Sequence, residues 1–221
     1  MQQTIGFPWY FWLLGGQPAS EAAADPGPRD RSSTGRKREV SLAEALSAVR
    51  DADLLLWRRS GVVARIGRGE HSHAALAAWW DGELFALEVT PCYGGRAVSL
   101  AAMVRRWPGC IDLFQADPDG RFPEFDRAAA VQAMKQLMGQ PYGYLTLVRI
   151  ILRRLPLVRL IVPAVTTDAE RLGPPAVCSQ AVAWATRAGG VDPVPFLADR
   201  FTEPADLARS LFYRYRLTFV P

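Results

Sequence analysis

Histidine is almost missing from this 221-residue chain: His71 and His73 are the only two. Chemistry that needs an imidazole near neutral pH is therefore confined to one short stretch. Cysteine is scarce as well. Cys92, Cys110 and Cys178 are odd in number and widely spaced. That excludes a disulfide framework, leaves at least one thiol free, and agrees with a reducing, cytoplasmic compartment. Residues 5–14 are apolar, but no Lys or Arg precedes them and the run is too short to span a bilayer, so neither an export leader nor a membrane span is expected there. Gly67-x-Gly69 lacks the Gly-Lys-Ser/Thr ending of a phosphate loop and precedes a strand, not a helix. The net charge of +4, from 26 basic and 22 acidic residues, comes without the aromatic-basic pattern of a nucleic-acid binder. Anionic surfaces suit it, and nucleic acid is not an expected partner.

What is present divides into two parts. Residues 15–39 are rich in Gly, Pro, Ala, Ser and charge, with too little apolar content to fold alone. Residues 1–39 therefore read as an apolar arm and a disordered linker, and 40–221 as one domain long enough for a substantial core. Ser41 with Glu44 makes a capping box for a helix from Leu42 to about Arg50. Asp53-Leu-Leu-Leu-Trp57 is a short buried strand. Tyr93-Gly-Gly95 reads as a turn, Ser99 to Trp107 as a short helix, Cys110 to Phe114 as a strand, and Pro123 to Met138 as an amphipathic helix ended by Gly139.

The organising stretch is 69–90. Two apolar runs flank Asp81-Gly82, the dipeptide that most favours a two-residue hairpin turn because both residues accept positive φ. With those two in the turn, Trp80 faces Glu83, Ala77 faces Ala86, Ala75 faces Glu88, and His73 faces Thr90. His73 and Glu88 then lie on one face as diagonal neighbours, roughly 7–8 Å apart at the backbone and within side-chain reach. A one-residue slip would separate them. Glu88 sits in an otherwise apolar strand and would be costly to bury without such a partner.

Farther on, Gly173-Pro-Pro-Ala-Val-Cys178-Ser179-Gln180 starts an alanine-rich helix that Gly189-Gly190 ends. Cys178 thus sits at a helix N-terminus. Unpaired N–H groups and the macrodipole favour a thiolate there, and the same groups can hold an oxyanion. A nucleophile and a small packing residue are the two readings of this cysteine. A metal site is a separate alternative, because His71-x-His73 points two imidazoles to one side and Cys92 would sit opposite His71 if the hairpin extends that far. An inert binding module with the same shell is a third.

The ordered set of parts, namely the Asp53-Leu-Leu-Leu strand, Ser72-His73 at a strand start, an acidic residue in the next strand, Gly-Gln-Pro-Tyr142-Gly-Tyr, Val-Cys178-Ser-Gln at a helix start, and Pro204-Ala-Asp206-Leu, resembles the circularly permuted NlpC-type cysteine hydrolases of the YiiX/YebB-like group. The resemblance covers about residues 40–221. It implies an α+β, permuted papain-like fold in which a small antiparallel sheet packs against helices. It also implies that Cys178 is the nucleophile, His73 the general base and Glu88 the group that orients the histidine, with Ser72, Tyr142 and Ser179 as substrate contacts. No cofactor is required. The expected reaction is acyl transfer from an amide, such as a cell-wall peptide. The group also resembles lecithin:retinol acyltransferase-like enzymes, which makes a lipid acyl ester the alternative substrate.

Residues 145–163 are mostly apolar but carry Arg149, Arg153, Arg154 and Arg159 and two prolines, which argues against a transmembrane helix. They read either as a core helix with a solvated basic face or as a basic amphipathic element in peripheral contact with anionic lipid. Vesicle sedimentation separates the two. The lipid-facing element binds anionic vesicles, ignores neutral ones, weakens with added salt, and loses its preference when the four arginines become glutamine. The core helix shows no such binding even at low salt.

Overall fold

The computed structural model describes residues 37–58, 69–91, 93–141, 177–195 and 197–221. Cys92, Tyr142, nearly all of the 1–39 arm and linker, and the 145–163 stretch lie outside them. The described chain is α+β, as expected. Its elements are β1 (Glu39–Ser41), α1 (Leu42–Ala45), β2 (Leu54–Arg58), β3 (His71–Trp80), β4 (Glu83–Thr90), β5 (Gly94–Ser99), α2 (Leu100–Arg106), β6 (Ile111–Ala116), α3 (Arg127–Gln136), α4 (Cys178–Ala188), α5 (Pro204–Ala208) and β7 (Tyr213–Val220). The seven strands form one sheet in the order β1-β7-β6-β2-β3-β4-β5. It is mixed, because β1 runs parallel to β7 while the other neighbours are antiparallel.

The centre of the sheet follows from its composition. Leu54, Leu55, Leu56 and Trp57 form an unbroken apolar run, the pattern of a strand covered on both faces, and all four are buried. Alternation along β3 sends Ala74, Leu76 and Ala78 to one face, where they pack against Ala130 and Met134 of α3 and Ala181, Val182 and Ala185 of α4. Ala75 and Ala77 point to the other face, onto a cluster with Leu100, Met103 and Val104 of α2. The alanines of β3 and α4 present little side-chain bulk to each other, which lets this helix and strand approach closely.

The hairpin has the expected turn. Asp81 and Gly82 both take positive φ, 49° and 78°, the left-handed pair whose twist matches that of the flanking strands. Register follows as Trp80↔Glu83, Ala77↔Ala86 and Ala75↔Glu88. Ala75–Glu88 is the last pair of that ladder, so His73 does not pair with Thr90. Thr90 pairs with Gly94 of β5 instead, and the Ala74 N–H is directed at the Cys178 sulfur.

Other boundaries moved for local reasons. Ser41 caps α1 as expected, accepting from the Glu44 N–H, but α1 passes into a 3-10 turn at Leu46–Ala48. α3 starts at Arg127 because the Asp126 carboxylate accepts the Ala129 N–H at 3.0 Å and so caps the helix there. The two glycines read as a turn open β5. Gly95 forms a bridge with Met138, donates to the Gln140 carbonyl at 2.9 Å and accepts from Gly139 at 2.8 Å. β7 lies beyond the elements expected from the sequence.

A Cβ on Gly95 would be driven into the Leu137 carbonyl oxygen and against the Met138 Cα, both backbone atoms that cannot rotate away. Gly95→Ala is expected to cost ~1–3 kcal/mol, the usual penalty of overpacking, read as a lowered denaturant midpoint at unchanged slope.

Candidate active site

Three elements converge on one ring. His73 is the third residue of β3, Glu88 lies near the end of β4, and Cys178 is the first residue of α4. His73 follows the alternation of Ala75 and Ala77, and Glu88 that of Leu84 and Ala86, so the two share a face as the register argument required. The His73 Nε2 meets Glu88 Oε2 at 2.6 Å. The Trp57 indole packs edge-on against the imidazole, with ring centroids 5.1 Å apart. The other side of the histidine is hydrogen-bonded to the Cys178 thiol. With Nε2 committed to Glu88, Nδ1 is the ring nitrogen left for sulfur.

The sulfur is prepared from both directions. Val177 stands at the N-cap of α4 and has no side-chain acceptor for the first-turn N–H groups, which leaves them directed outward. The Ser179 N–H and, from the sheet, the Ala74 N–H both point at the sulfur. Burial disfavours a thiolate, but the His73 charge and hydrogen bond and the two N–H groups outweigh it, so the thiol titrates below its ordinary range. Burial likewise opposes charge on His73. The neighbouring Cys178 and Glu88 more than compensate and hold the ring protonated well above the ordinary histidine range. Glu88 is 2 % exposed; burial works against its charge, yet His73 and Arg96 keep it ionised below the usual carboxylate range. All three shifts run in the direction that favours a thiolate, an imidazolium and a carboxylate in line.

Arg96 went unnoticed in the sequence. It lies directly across from Glu88 in the β4–β5 register, and its Nε and a terminal nitrogen donate to Glu88 Oε1 at 2.8 and 2.6 Å. Reading Gly94-Gly95 as a turn hid it. A strand begun at Gly94 would have paired the two charges.

The remaining expected residues divide. Ser179 is buried and its hydroxyl donates to the Thr202 carbonyl at 2.6 Å, tying α4 to the turn before α5. Ser72 is half-buried on β3 between the two histidines. Tyr142 is outside the described residues. His71 turns away from the thiol. Its Nε2 lies 2.9 Å from Asp112 Oδ2, and Asp112 also accepts from Arg58 at 2.9 Å and Thr218 at 2.6 Å. Burial opposes charge on Asp112, but His71, Arg58 and Lys37 hold it at about 2. The two imidazoles therefore serve different carboxylates. Among the described residues no three His, Cys, Asp or Glu side chains come together as a metal site, and no helix is long and apolar enough to cross a membrane.

The sequence matches no protein-family model and no curated protein. The fold is similar to the crystal structure of the metalloprotein yiiX from Escherichia coli O157:H7 (DUF1105), with a TM-score of 0.51 and 8% identity over 78% of this chain and 98% of that one. At that identity the likeness shows the fold alone. It gives the α+β sheet-and-helix architecture described above a solved counterpart.

Thiolate character is directly measurable. A lowered Cys178 pKa means that the thiolate persists as pH falls below the ordinary thiol range and is lost only on passing the lowered value. Iodoacetamide labelling of Cys178 should therefore reach half its maximal rate below the pH of about 8.5 expected of an unperturbed cysteine. His73→Ala should move that midpoint upward, because burial is then unopposed by the imidazolium. An ordinary profile in the wild-type protein is the result that removes the ion pair.

Proposed function

We propose that the chain is a cysteine hydrolase of permuted papain-like type that acts on an amide or ester acyl bond through Cys178, His73 and Glu88. The observation that carries this reading is the convergence on His73 of a helix-terminal thiol on one side and a buried carboxylate on the other. That is the nucleophile–base–orienter arrangement, built from residues 73, 88 and 178. The order of parts, with the histidine strand before the cysteine helix, agrees with permutation.

In the proposed reaction His73 holds the proton taken from the Cys178 thiol. The thiolate attacks the acyl carbonyl carbon, and the Cys178 backbone N–H at the α4 N-terminus stabilises the oxyanion. Collapse expels the amine or alcohol, which takes the proton from His73, and leaves a thioester on Cys178. Neutral His73 then removes a proton from water as the hydroxide adds to the thioester carbonyl, and collapse breaks the C–S bond, releasing the acid and the Cys178 thiolate and so restoring the thiolate–imidazolium pair. Glu88 keeps the ring oriented and stabilises its cationic form in both halves. The free thiols Cys110 and Cys178 suit a reducing compartment, and the cytoplasm is the proposed location. The described residues do not fit the metal that the yiiX structure's name would suggest by analogy, since His71 and His73 face different carboxylates.

Mass-spectrometric trapping of an acyl adduct on Cys178, from a set of peptide amides and lipid esters, tests the reading and distinguishes the two substrate classes. Cys178→Ala and His73→Ala should yield no adduct, whereas His71→Gln, remote from the thiol and still able to reach Asp112, should keep most of it. Glu88→Gln should fold and lose about 10²–10⁴-fold in rate, as expected when an orienting group is neutralised. Equal loss in the His71 and His73 variants, with the fold intact, would sink the triad.

A further inference from the structure

We propose that Arg96 is a positioning residue of the Cys178 site: from β5 it grips one oxygen of Glu88, so that the other is presented to His73. This rests on the cysteine-hydrolase reading and adds a fourth member to it. The geometry is closed. Both Arg96 donors go to Oε1, at 2.8 and 2.6 Å, while His73 takes Oε2 at 2.6 Å. Each carboxylate oxygen thus has its own cation, one from each flanking strand. A glutamate has three rotatable side-chain bonds, and two-sided anchoring leaves it a single arrangement in which the imidazole is aligned.

Register and backbone fix the donor. Glu88 and Arg96 are opposed Cα partners. The start of β5 is pinned to the turn that follows α3 by the Gly95 N–H donating to the Gln140 carbonyl, and a side chain on Gly95 would collide with the Leu137 carbonyl there. The guanidinium also lies over the Tyr93 ring, 4.4 Å from its centroid, which limits its swing. These contacts leave Arg96 one-third exposed and Glu88 almost fully buried.

The need for a second cation follows from the reaction cycle. His73 is cationic while the thiolate waits, and neutral once its proton has gone to the leaving group. A buried carboxylate facing a neutral ring would itself take up a proton, and a protonated Glu88 could no longer stabilise the imidazolium that must re-form. Arg96 stays charged throughout. Among the described residues, the charged groups at Glu88 are His73 from β3 and Arg96 from β5, with Cys178 of α4 beyond the ring. Removing Arg96 withdraws positive charge from this chain. Whether Glu88 then stays ionised or protonates, the thiolate loses support, so its titration moves upward in either case.

The experiment compares wild-type, Arg96→Gln, Arg96→Lys, Glu88→Gln and the Arg96→Gln/Glu88→Gln double variant, each checked for folding by circular dichroism. It follows the pH profile of Cys178 alkylation by iodoacetamide and the rate of acyl-adduct formation. Arg96→Gln should shift the alkylation midpoint to higher pH and slow acylation by roughly 10–10²-fold, below the loss from Glu88→Gln. Arg96→Lys keeps the charge without the fork and should restore most of the midpoint but only part of the rate. Because Arg96 acts through Glu88, the double variant should be no slower than Glu88→Gln alone.

A folded Arg96→Gln protein with a wild-type midpoint and rate overturns the proposal, as do losses that multiply in the double variant. If Arg96→Gln does not fold, the lysine and double variants decide, the latter leaving no lone buried charge. Adduct formation that survives Cys178→Ala instead overturns the hydrolase reading. The alkylation midpoints still report whether Arg96 supports the thiolate, which keeps the two failures distinct.

Discussion

Glu88 is an ionised carboxylate set into a strand whose neighbours, Leu87 and Val89, are core residues, and the arrangement of the sheet around it answers to that charge. Leaving a buried charge unpaired costs several kcal/mol. Two cations offset this, one on each adjacent strand, so the same carboxylate ties β3, β4 and β5 into a single register. Slipping either partner strand by one residue would turn His73 or Arg96 to the opposite face and strand the charge. Register here is therefore enforced twice, by apolar alternation and by electrostatics. The site inherits its precision from a constraint that also holds the fold.

The cysteine reaches this charged seam from ninety residues farther along the chain, carried by the packing of α4 on β3. Ala181, Val182 and Ala185 meet Ala74, Leu76 and Ala78, and the Ser179 hydroxyl anchors the first turn to the Thr202 carbonyl. Small side chains on both sides bring the helix near enough for a sheet N–H, that of Ala74, to reach the sulfur. A thiol delivered without those contacts would keep its ordinary affinity for a proton, or a raised one, because it is buried. What favours its thiolate is first the His73 imidazolium that this packing sets beside it, and then the Ala74 N–H left to spare where β3 parts from β4.

Legibility in the sequence follows how local each signal is. The hairpin and its register could be read because Asp81-Gly82 dictates a turn and the side-chain period of two propagates from it, which places His73 beside Glu88. The Cys178 helix start was readable from its flanking prolines and alanine run. That Cys178 meets His73 came only from resemblance, since no local pattern encodes a contact between residues 105 positions apart. β5 was misread because paired glycines signal a turn locally. Here they are required by a close approach of the backbone just after α3, at Leu137–Pro141, a tertiary cause invisible at that position. With β5 lost, the Glu88–Arg96 pair was lost too. The alternation of Tyr213-Arg-Tyr-Arg-Leu-Thr-Phe-Val220 was a strand signal present in the chain, and β7 pairs with both β6 and β1.

The two histidines show why residue type alone decides little. They stand two positions apart on one strand, and each meets a buried carboxylate through Nε2 at hydrogen-bond distance. The difference lies in what surrounds the second half of each pair. Asp112 is saturated by Arg58, Thr218 and Lys37 besides His71, and the His71 ring faces Phe114 edge-on; the assembly pins β6, β7 and the chain entering β1 together. Glu88 has one further cation, and its histidine turns its other side to a thiol at a helix terminus. The register shifts between these positions: Trp57 and Arg58 are consecutive on β2, yet Trp57 lies across from His73 and Arg58 across from His71, so Ser72 is the extra residue of a bulge on β3. One local irregularity between β2 and β3 thus sets an apolar wall beside one imidazole and a competing cation beside the other, and from nearly identical sequence surroundings it gives the two pairs different environments.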